Sequence, residues 1–179
     1  MRVFIIIIFT AFTTGALAQC PKNPAISEEL DEAYRSLKFA KFPRDAQVAT
    51  DVLWSLWTRA PDNRAQRLLN RGMMNLRLGD LAAAEGFLSV LIKYCPDYAE
   101  GYNQRAFARY LAGNFEGALP DLARALSILP RHLGALSGKG LTHLALGQPE
   151  LAEIEFRKEM ALNPFTADRD LIPNLGTDL

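Results

Sequence analysis

The side chains that most often do chemistry in proteins are scarce in this sequence of 179 residues. It contains two histidines, His132 and His143, and two cysteines, Cys20 and Cys95. Neither histidine has a serine or cysteine nucleophile at a suggestive spacing, and the sequence has no phosphate-binding loop, no G-x-G-x-x-G and no CxxC motif. We therefore expect no enzymatic activity, no cofactor and no metal site. Both histidines are interpreted as structural or surface residues.

The two cysteines are candidates for a covalent link. Residues 1–18 resemble an export signal, with a basic start, an apolar run and a small-x-small pattern at 16–18. Export leads to an oxidising compartment, where Cys20 and Cys95 could form a disulfide. Two alternatives stay open: a lipid on Cys20, because residues 17–20 resemble a lipobox, and burial of Cys95 as a small apolar residue. An uncleaved signal that stays in the membrane is a third possibility.

Oppositely charged residues recur at a separation of 16. Two such pairs fall at equivalent places: Arg105 with Asp121, and Lys139 with Glu155. In an antiparallel helix pair this separation can bring two side chains together across the pair, so we predict an ion pair in both places. Arg71 has Phe87 at the matching position, and its stem should pack on apolar surface instead.

These side chains need elements to position them, and the sequence repeats with a period of 34 (113 − 79 and 147 − 113). Three residue types keep this interval: Gly79, Gly113 and Gly147; Pro96, Pro130 and Pro164; Ala84, Ala118 and Ala152. Each period holds two amphipathic segments. A glycine between them fits the left-handed conformation that ends a helix, and the proline lacks the N–H that a continuing helix needs. The period predicts an all-α fold of antiparallel helix pairs.

The period also divides the chain into segments. We predict a signal peptide at 1–18, an extended leader at 19–26, a degenerate first repeat at 27–64, repeats at 65–98, 99–132 and 133–164, and a tail or short cap at 165–179. In the first pair Pro61 is one residue out of phase and the turn glycine is absent. The first repeat of an array is often atypical because its outer face meets water.

The balance of charge excludes one class of partner. Twenty basic and twenty acidic residues give a formal net charge of zero. No basic excess is present to neutralise phosphates, so we expect no nucleic acid partner. The sequence does not indicate an oligomeric state.

Residues 65–164 resemble the tetratricopeptide repeat (TPR) family, whose pattern is W-x2-L-G-x2-Y, then A-x3-F, then P. The central copy reads Tyr102-x2-Arg105-Ala106, then Ala118-x3-Leu122, then Pro130. The copies before and after it carry Gly72 and Gly140 in place of Ala106. The resemblance implies an α-solenoid, a right-handed superhelix of helix pairs with a concave face. It also implies protein or peptide binding and no catalysis.

In this family the first helix of each pair lines the concave face. The partner-binding residues that the resemblance implies, transferred by phase, are Asn70, Met73, Arg77, Asn103, Gln104, Phe107, Tyr110 and Leu141. Amides suit the backbone of an extended peptide, aromatic rings and methionine an apolar anchor, and arginine a carboxylate. The alternative is an inner face that is only solvated. One family variant clamps C-terminal carboxylates with basic residues, but Glu100 and Gln104 stand where its later bases belong.

The sequence therefore predicts an exported, non-enzymatic scaffold that binds a protein or peptide in the concave groove, with a bacterial periplasm as the expected compartment. The alternative is an envelope assembly or structural protein, anchored by a lipid on Cys20 or by an uncleaved signal. Contact with a membrane is expected only through such an N-terminal anchor.

Overall fold

The computed structural model describes residues 20–21 and 26–172. The predicted signal peptide, most of the leader and the end of the tail lie outside these residues. The described chain contains α-helices, a short 3₁₀ helix and no strand. The helices are α1 (Ser27–Lys38), α2 (Pro43–Trp57), α3 (Asn63–Leu78), α4 (Leu81–Tyr94), α5 (Ala99–Leu111), α6 (Phe115–Ile128), α7 (Leu133–Ala145) and α8 (Pro149–Leu162), and the 3₁₀ helix is Ala167–Leu171.

The three glycines that recur once per repeat end the first helix of their pairs. Gly79, Gly113 and Gly147 have φ angles of 77°, 74° and 69°, a conformation that costs glycine little and other residues more. The side chains of Asp80 and Asn114 then accept hydrogen bonds from backbone N–H groups in the first turns of α4 and α6. A glycine in the left-handed conformation ends the first helix, and the N-cap residue directly after it begins the second. The two helices of a pair therefore run antiparallel.

Small residues set the close approach of the two helices in a pair. A Cβ atom on Gly72 would lie 2.6 Å from Cγ of Leu88, and one on Gly140 would lie 2.3 Å from Cε1 of Phe156. Ala106 fills the same place in the central pair and is buried. Neighbouring helix pairs stack on one another, with α4 packed along α5 and α6 packed along α7. The fold is therefore a helical solenoid from α3 to α8.

The hairpin formed by α1 and α2 departs from the sequence prediction. We expected it to stack as a degenerate first repeat, yet α2 does not pack along α3 as α4 packs along α5. Its apolar side chains form a core of their own that includes Leu133 at the start of α7, with Leu129 and Leu162 packed at its edge. The physical reason is burial of apolar surface, because the hairpin finds its apolar partners at the ends of α6, α7 and α8.

Polar contacts hold this hairpin in place. The Tyr34 hydroxyl donates to the backbone carbonyl of Arg131, and the guanidinium of Arg131 forms an ion pair with Asp31. The Tyr98 hydroxyl donates to the backbone carbonyl of Trp57 at 2.6 Å. Burial raises the pKa of both tyrosines well above the ordinary value, so both hydroxyls stay protonated donors. The hairpin is thus held by the segments that precede α5 and α7.

The described part of the tail packs on the last helix. Ile172 is buried against Ala152 and Phe156, and the Thr166 hydroxyl donates to Oε1 of Glu159 at 2.8 Å. Residues 165–172 thereby cover the apolar flank that the end of a solenoid leaves open.

Candidate functional site

A groove of about 280 Å³ lies between α2, α5 and α7. Its apolar wall combines Phe107 and Tyr110 of α5 with Leu141 of α7 and Trp54 of α2. Ala106 and Leu122 lie at its base, and small residues of α7 such as Ser137 leave space above them. We call this surface the α5–α7 groove. Five of the residues assigned to the concave face line it: Asn103, Gln104, Phe107, Tyr110 and Leu141.

Phe107 and Tyr110 differ in how firmly they are held. The Tyr110 ring packs against the ring of Phe115, with centroids 5.4 Å apart, so it forms a fixed wall. The Phe107 side chain is 49% exposed and belongs to no core cluster of the described residues. A large aromatic ring beside an open groove is a typical anchor for a partner.

Three of the assigned residues do not line this groove. Asn70 is exposed, and its Oδ1 accepts a hydrogen bond from Gln66 at 3.0 Å. Met73 is partly buried against the core of α3 and α4. Arg77 is exposed in the last turn of α3. The α5–α7 groove therefore includes residues of α5 and α7 but none of α3.

The amides of Asn103 and Gln104 are already engaged. Both donate to the carboxylate of Glu100, Asn103 at 3.1 Å, and both residues are buried although they line the groove. We predicted that they would hold the backbone of a peptide. Their N–H groups instead satisfy the two oxygens of a fully buried carboxyl group.

His132 completes the hydrogen-bond network around Glu100. The sequence carries no signal for the contact between these two residues. The Nε2 atom of His132 lies 2.8 Å from Oε2 of Glu100, and its Nδ1 accepts from the backbone N–H of Ala135 at 3.3 Å. An acceptor at Nδ1 and a donor at Nε2 fit the neutral Nε2–H tautomer. The imidazole stacks on the Trp57 indole with ring centroids 4.3 Å apart. Glu100 and His132 therefore connect the start of α5 to the end of α2.

The predicted charged pairs meet across their helix pairs. Arg105 donates to both carboxylate oxygens of Asp121, at 2.8 and 2.6 Å, and Arg109 reaches the same carboxylate at 3.0 Å. The ion pair with Asp121 raises the pKa of Arg105 above its ordinary value. Arg109 also pairs with Glu85. The carboxylate of Asp121 is only 5% exposed, so two arginines offset the cost of burying it.

The corresponding pair in the next repeat is more exposed. Lys139 Nζ lies 2.9 Å from Oε1 of Glu155, and Lys158 lies 3.1 Å from the same carboxylate. Burial works to raise the pKa of Glu155, but the two lysines outweigh it and hold the pKa below its ordinary value. Arg71 places its guanidinium carbon 5.5 Å from the centre of the Phe87 ring, a cation–π contact where its counterparts form ion pairs.

Cys20 and Cys95 form a disulfide that closes a loop of 75 residues. The bond fixes the start of the described chain to the end of α4, among buried side chains that include Leu91 and Tyr98. A sulfur in this bond cannot carry a thioether lipid. The structure therefore contradicts the lipid anchor on Cys20.

The described residues contain no group of three or more histidine, cysteine, aspartate or glutamate side chains that could hold a metal. His143 is buried, and its Nδ1 lies 2.8 Å from Oε1 of Gln148. Within the part of the chain that the structure describes, no helix combines the length and the hydropathy needed to cross a bilayer.

Comparisons with known proteins agree with this geometry. The chain is 28% identical over 142 residues to a TPR repeat-containing protein of Rhizobium etli, covering 79% of this chain and 69% of the relative. It is 31% identical over 121 residues to tetratricopeptide repeat protein 36 of Bos taurus, covering 65% and 64%. The chain is similar to tetratricopeptide repeat proteins in both sequence and fold. It spans about two thirds of the length of these TPR relatives.

Solved TPR structures share this fold. The first TPR of Spaghetti (RPAP3), bound to the HSP90 peptide SRMEEVD, matches with a TM-score of 0.59 at 20% identity, covering 60% of this chain and 85% of that one. The TPR fold of α3–α8 and its predicted solenoid class are thus confirmed. No family model matches the chain.

Proposed function

We propose that this TPR protein is a non-enzymatic interaction scaffold that binds a peptide or protein segment in the α5–α7 groove. The observation that carries the proposal is the half-exposed ring of Phe107, which stands beside Trp54, Tyr110 and Leu141 around about 280 Å³. Aromatic anchors that lose their remaining exposure on contact dominate the energy of many interfaces. A partner that covers Phe107 gains this energy without any rearrangement of the core.

The lining of the groove favours an apolar segment as the ligand. The first TPR of RPAP3 is bound to a peptide that ends in acidic residues. No lysine or arginine lines the α5–α7 groove among the described residues, and the amides of Asn103 and Gln104 are occupied by Glu100. A segment with one large apolar side chain therefore fits this groove better than an acidic C-terminus. A volume of about 280 Å³ suits a short stretch of chain.

We also propose that the protein is exported, with the bacterial periplasm as its compartment. The disulfide between Cys20 and Cys95 supports this proposal, because such bonds persist in oxidising compartments and are rare in the cytosol. The alternative is an assembly role at the envelope with an uncleaved signal as the anchor. Mass spectrometry of the protein from its native cells distinguishes them: a chain that starts at Gln19 supports export with cleavage, and a chain that retains residues 1–18 supports the anchor.

Selection from a displayed peptide library against the full chain provides a ligand for the test. The binding of an enriched peptide is then measured by fluorescence anisotropy to the unmodified protein and to Phe107→Ala. We expect binding to weaken by about 2 kcal/mol, or about thirtyfold. Val90→Ala is the matched control, since Val90 is 48% exposed on α4 and does not line the groove. Equal binding by all three proteins would remove the groove as the binding surface.

A further inference from the structure

The turn between α1 and α2 exposes two phenylalanines among three basic residues. Phe39 is 72% exposed and Phe42 is 65% exposed. Lys38, Lys41 and Arg44 flank them, and all three are exposed. We propose that this tip, residues 38–44, is a binding site for the anionic surface of a phospholipid bilayer. This goes beyond the groove and does not depend on it.

The two rings are not used by the fold. The hairpin core ends at Leu37 on α1 and begins again at Ala46 on α2, and neither Phe39 nor Phe42 belongs to it or packs at its edge. Single exposed apolar residues are ordinary on protein surfaces. Two large aromatic rings on one short turn that needs neither of them for packing point to a function outside the chain.

The charge around the rings selects the partner. Residues 38–45 carry three bases and one acid, Asp45, which gives 3 − 1 = +2 in a chain with a net charge of zero. Lys38, Lys41 and Arg44 form no ion pair with any residue that the structure describes. Unpaired bases beside aromatic rings complement anionic headgroups, with the rings lying at the level of the headgroups and acyl chains.

The shape of the site favours a bilayer over a folded protein. Pro43 lies beside the end of α8 and the 3₁₀ helix, while the rings of Phe39 and Phe42 on either side of the turn remain exposed. The opposite end of the hairpin is fixed by the stack of Trp57 on His132 and by the ion pair of Asp31 with Arg131. Protein hot spots usually sit in desolvated, well-packed pockets, whereas these rings stand outward on a turn. A projecting pair of rings can enter a lipid interface without any change in the fold.

Co-sedimentation of the full chain with vesicles tests the site. One set of vesicles is phosphatidylcholine alone, and the other contains about one third phosphatidylglycerol to supply negative charge. We expect partitioning into the anionic vesicles, weakened by salt because the charges are exposed. Lys41→Glu changes the local charge by two and should lower partitioning about thirtyfold. The double change Phe39→Ser and Phe42→Ser should lower it about tenfold or more.

The control is Leu78→Ser, which removes a comparably exposed apolar side chain (73%) from the end of α3. It should partition like the unmodified protein, and circular dichroism should show the same helical content for all variants. Absence of partitioning into anionic vesicles overturns the site. An equal loss with Leu78→Ser, or no loss with the phenylalanine variant, also overturns it. None of these changes touches the α5–α7 groove, so peptide binding reports on the proposed function separately.

Discussion

Asp121 is the residue on which the charged network of the central repeat depends. Its buried carboxylate receives Arg105 at 2.6 Å and Arg109 at 3.0 Å, and both arginines lie on α5. The sequence separation of Arg105 and Asp121 predicted the first contact, because that contact depends only on the geometry of a helix pair. The second arginine had no such signal, since the spacing of Arg109 and Asp121 does not recur in the neighbouring repeats as a pair of opposite charges.

We expect Asp121→Asn to destabilise the protein by about 3 kcal/mol, because it leaves two partly buried guanidinium groups without their shared counter-charge. Urea unfolding followed by circular dichroism measures the effect. Asp97→Asn is the control, since the ion pair of Asp97 with Arg124 is largely exposed and such pairs contribute little. If Asp121→Asn and Asp97→Asn lowered the unfolding free energy by similar amounts, burial would not determine how much an ion pair contributes to stability.

Glu159 is a buried carboxyl group with one unsatisfied oxygen. Its Oε1 accepts from Thr166, while Oε2 has no hydrogen-bond partner among the described residues. Burial, with a further contribution from Asp168, raises the pKa of Glu159 to about 8 despite the bond from Thr166. The folded protein therefore keeps a proton on this group across the range in which the unfolded chain loses it.

The stability that Glu159 contributes should fall as pH rises from about 4.5 towards about 8, because the unfolded state gains by ionising first. Glu159→Gln mimics the neutral form, so we expect it to match the unmodified protein near pH 4.5 and to exceed it above pH 8 by on the order of 3 kcal/mol. Thermal unfolding across this range is the measurement. Glu153→Gln, on the same helix at an exposed ion pair with Arg157, should keep the original pH dependence. A pH profile of Glu159→Gln parallel to that of the unmodified protein would mean that Glu159 is ionised in the fold.

At the scale of elements, each helix pair depends on a glycine or alanine where the helices cross. Gly140→Ala places a methyl group against the buried ring of Phe156, so we expect a loss of about 1–3 kcal/mol as α7 and α8 move apart. Gly86 lies inside α4 with nothing within 4 Å of its Cβ position. Gly86→Ala should instead stabilise the protein by about 0.5–1 kcal/mol. If both variants changed the unfolding free energy in the same direction, close approach at Gly140 would not explain the effect.

The helix pairs were predictable because their signals are local and periodic. Within the central repeat, Gly113 marks the end of the first helix and Pro130 the end of the second. Ala118 marks the contact between the two helices. The position of the α1–α2 hairpin was not predictable in this way. Trp57 meets His132 although the two are far apart in the sequence, and no repeating interval links them. A tryptophan can be identified as a core residue from its helix face, but its partner depends on how two separate elements pack.

At the scale of the molecule, the disulfide closes the N-terminal part of the chain into one loop with α1 to α4. A loop of 75 residues contributes about 4 kcal/mol in the chain-entropy model. We expect a reductant to lower the unfolding free energy by about this amount, as measured by guanidinium unfolding. The variant Cys20→Ser should already show the lower value and should not respond to the reductant. If the reductant lowered the unfolding free energy of Cys20→Ser by the same amount, the loss would not come from the disulfide.

The position of the hairpin also shapes the proposed binding surface. Trp54 of the α1–α2 hairpin forms one wall of the α5–α7 groove, and no residue of α3 lines it. The partner that we propose follows from the observed arrangement.

The position of the hairpin is tested most directly by a nuclear Overhauser spectrum of the full chain with assigned aromatic side chains. We expect cross-peaks between the indole protons of Trp57 and the ring protons of His132, whose ring centroids are 4.3 Å apart. Cross-peaks from Trp57 to Leu68 or Leu69 of α3, with none to His132, would show a stacked first repeat. That result would contradict the packing of the hairpin against His132 and the start of α7.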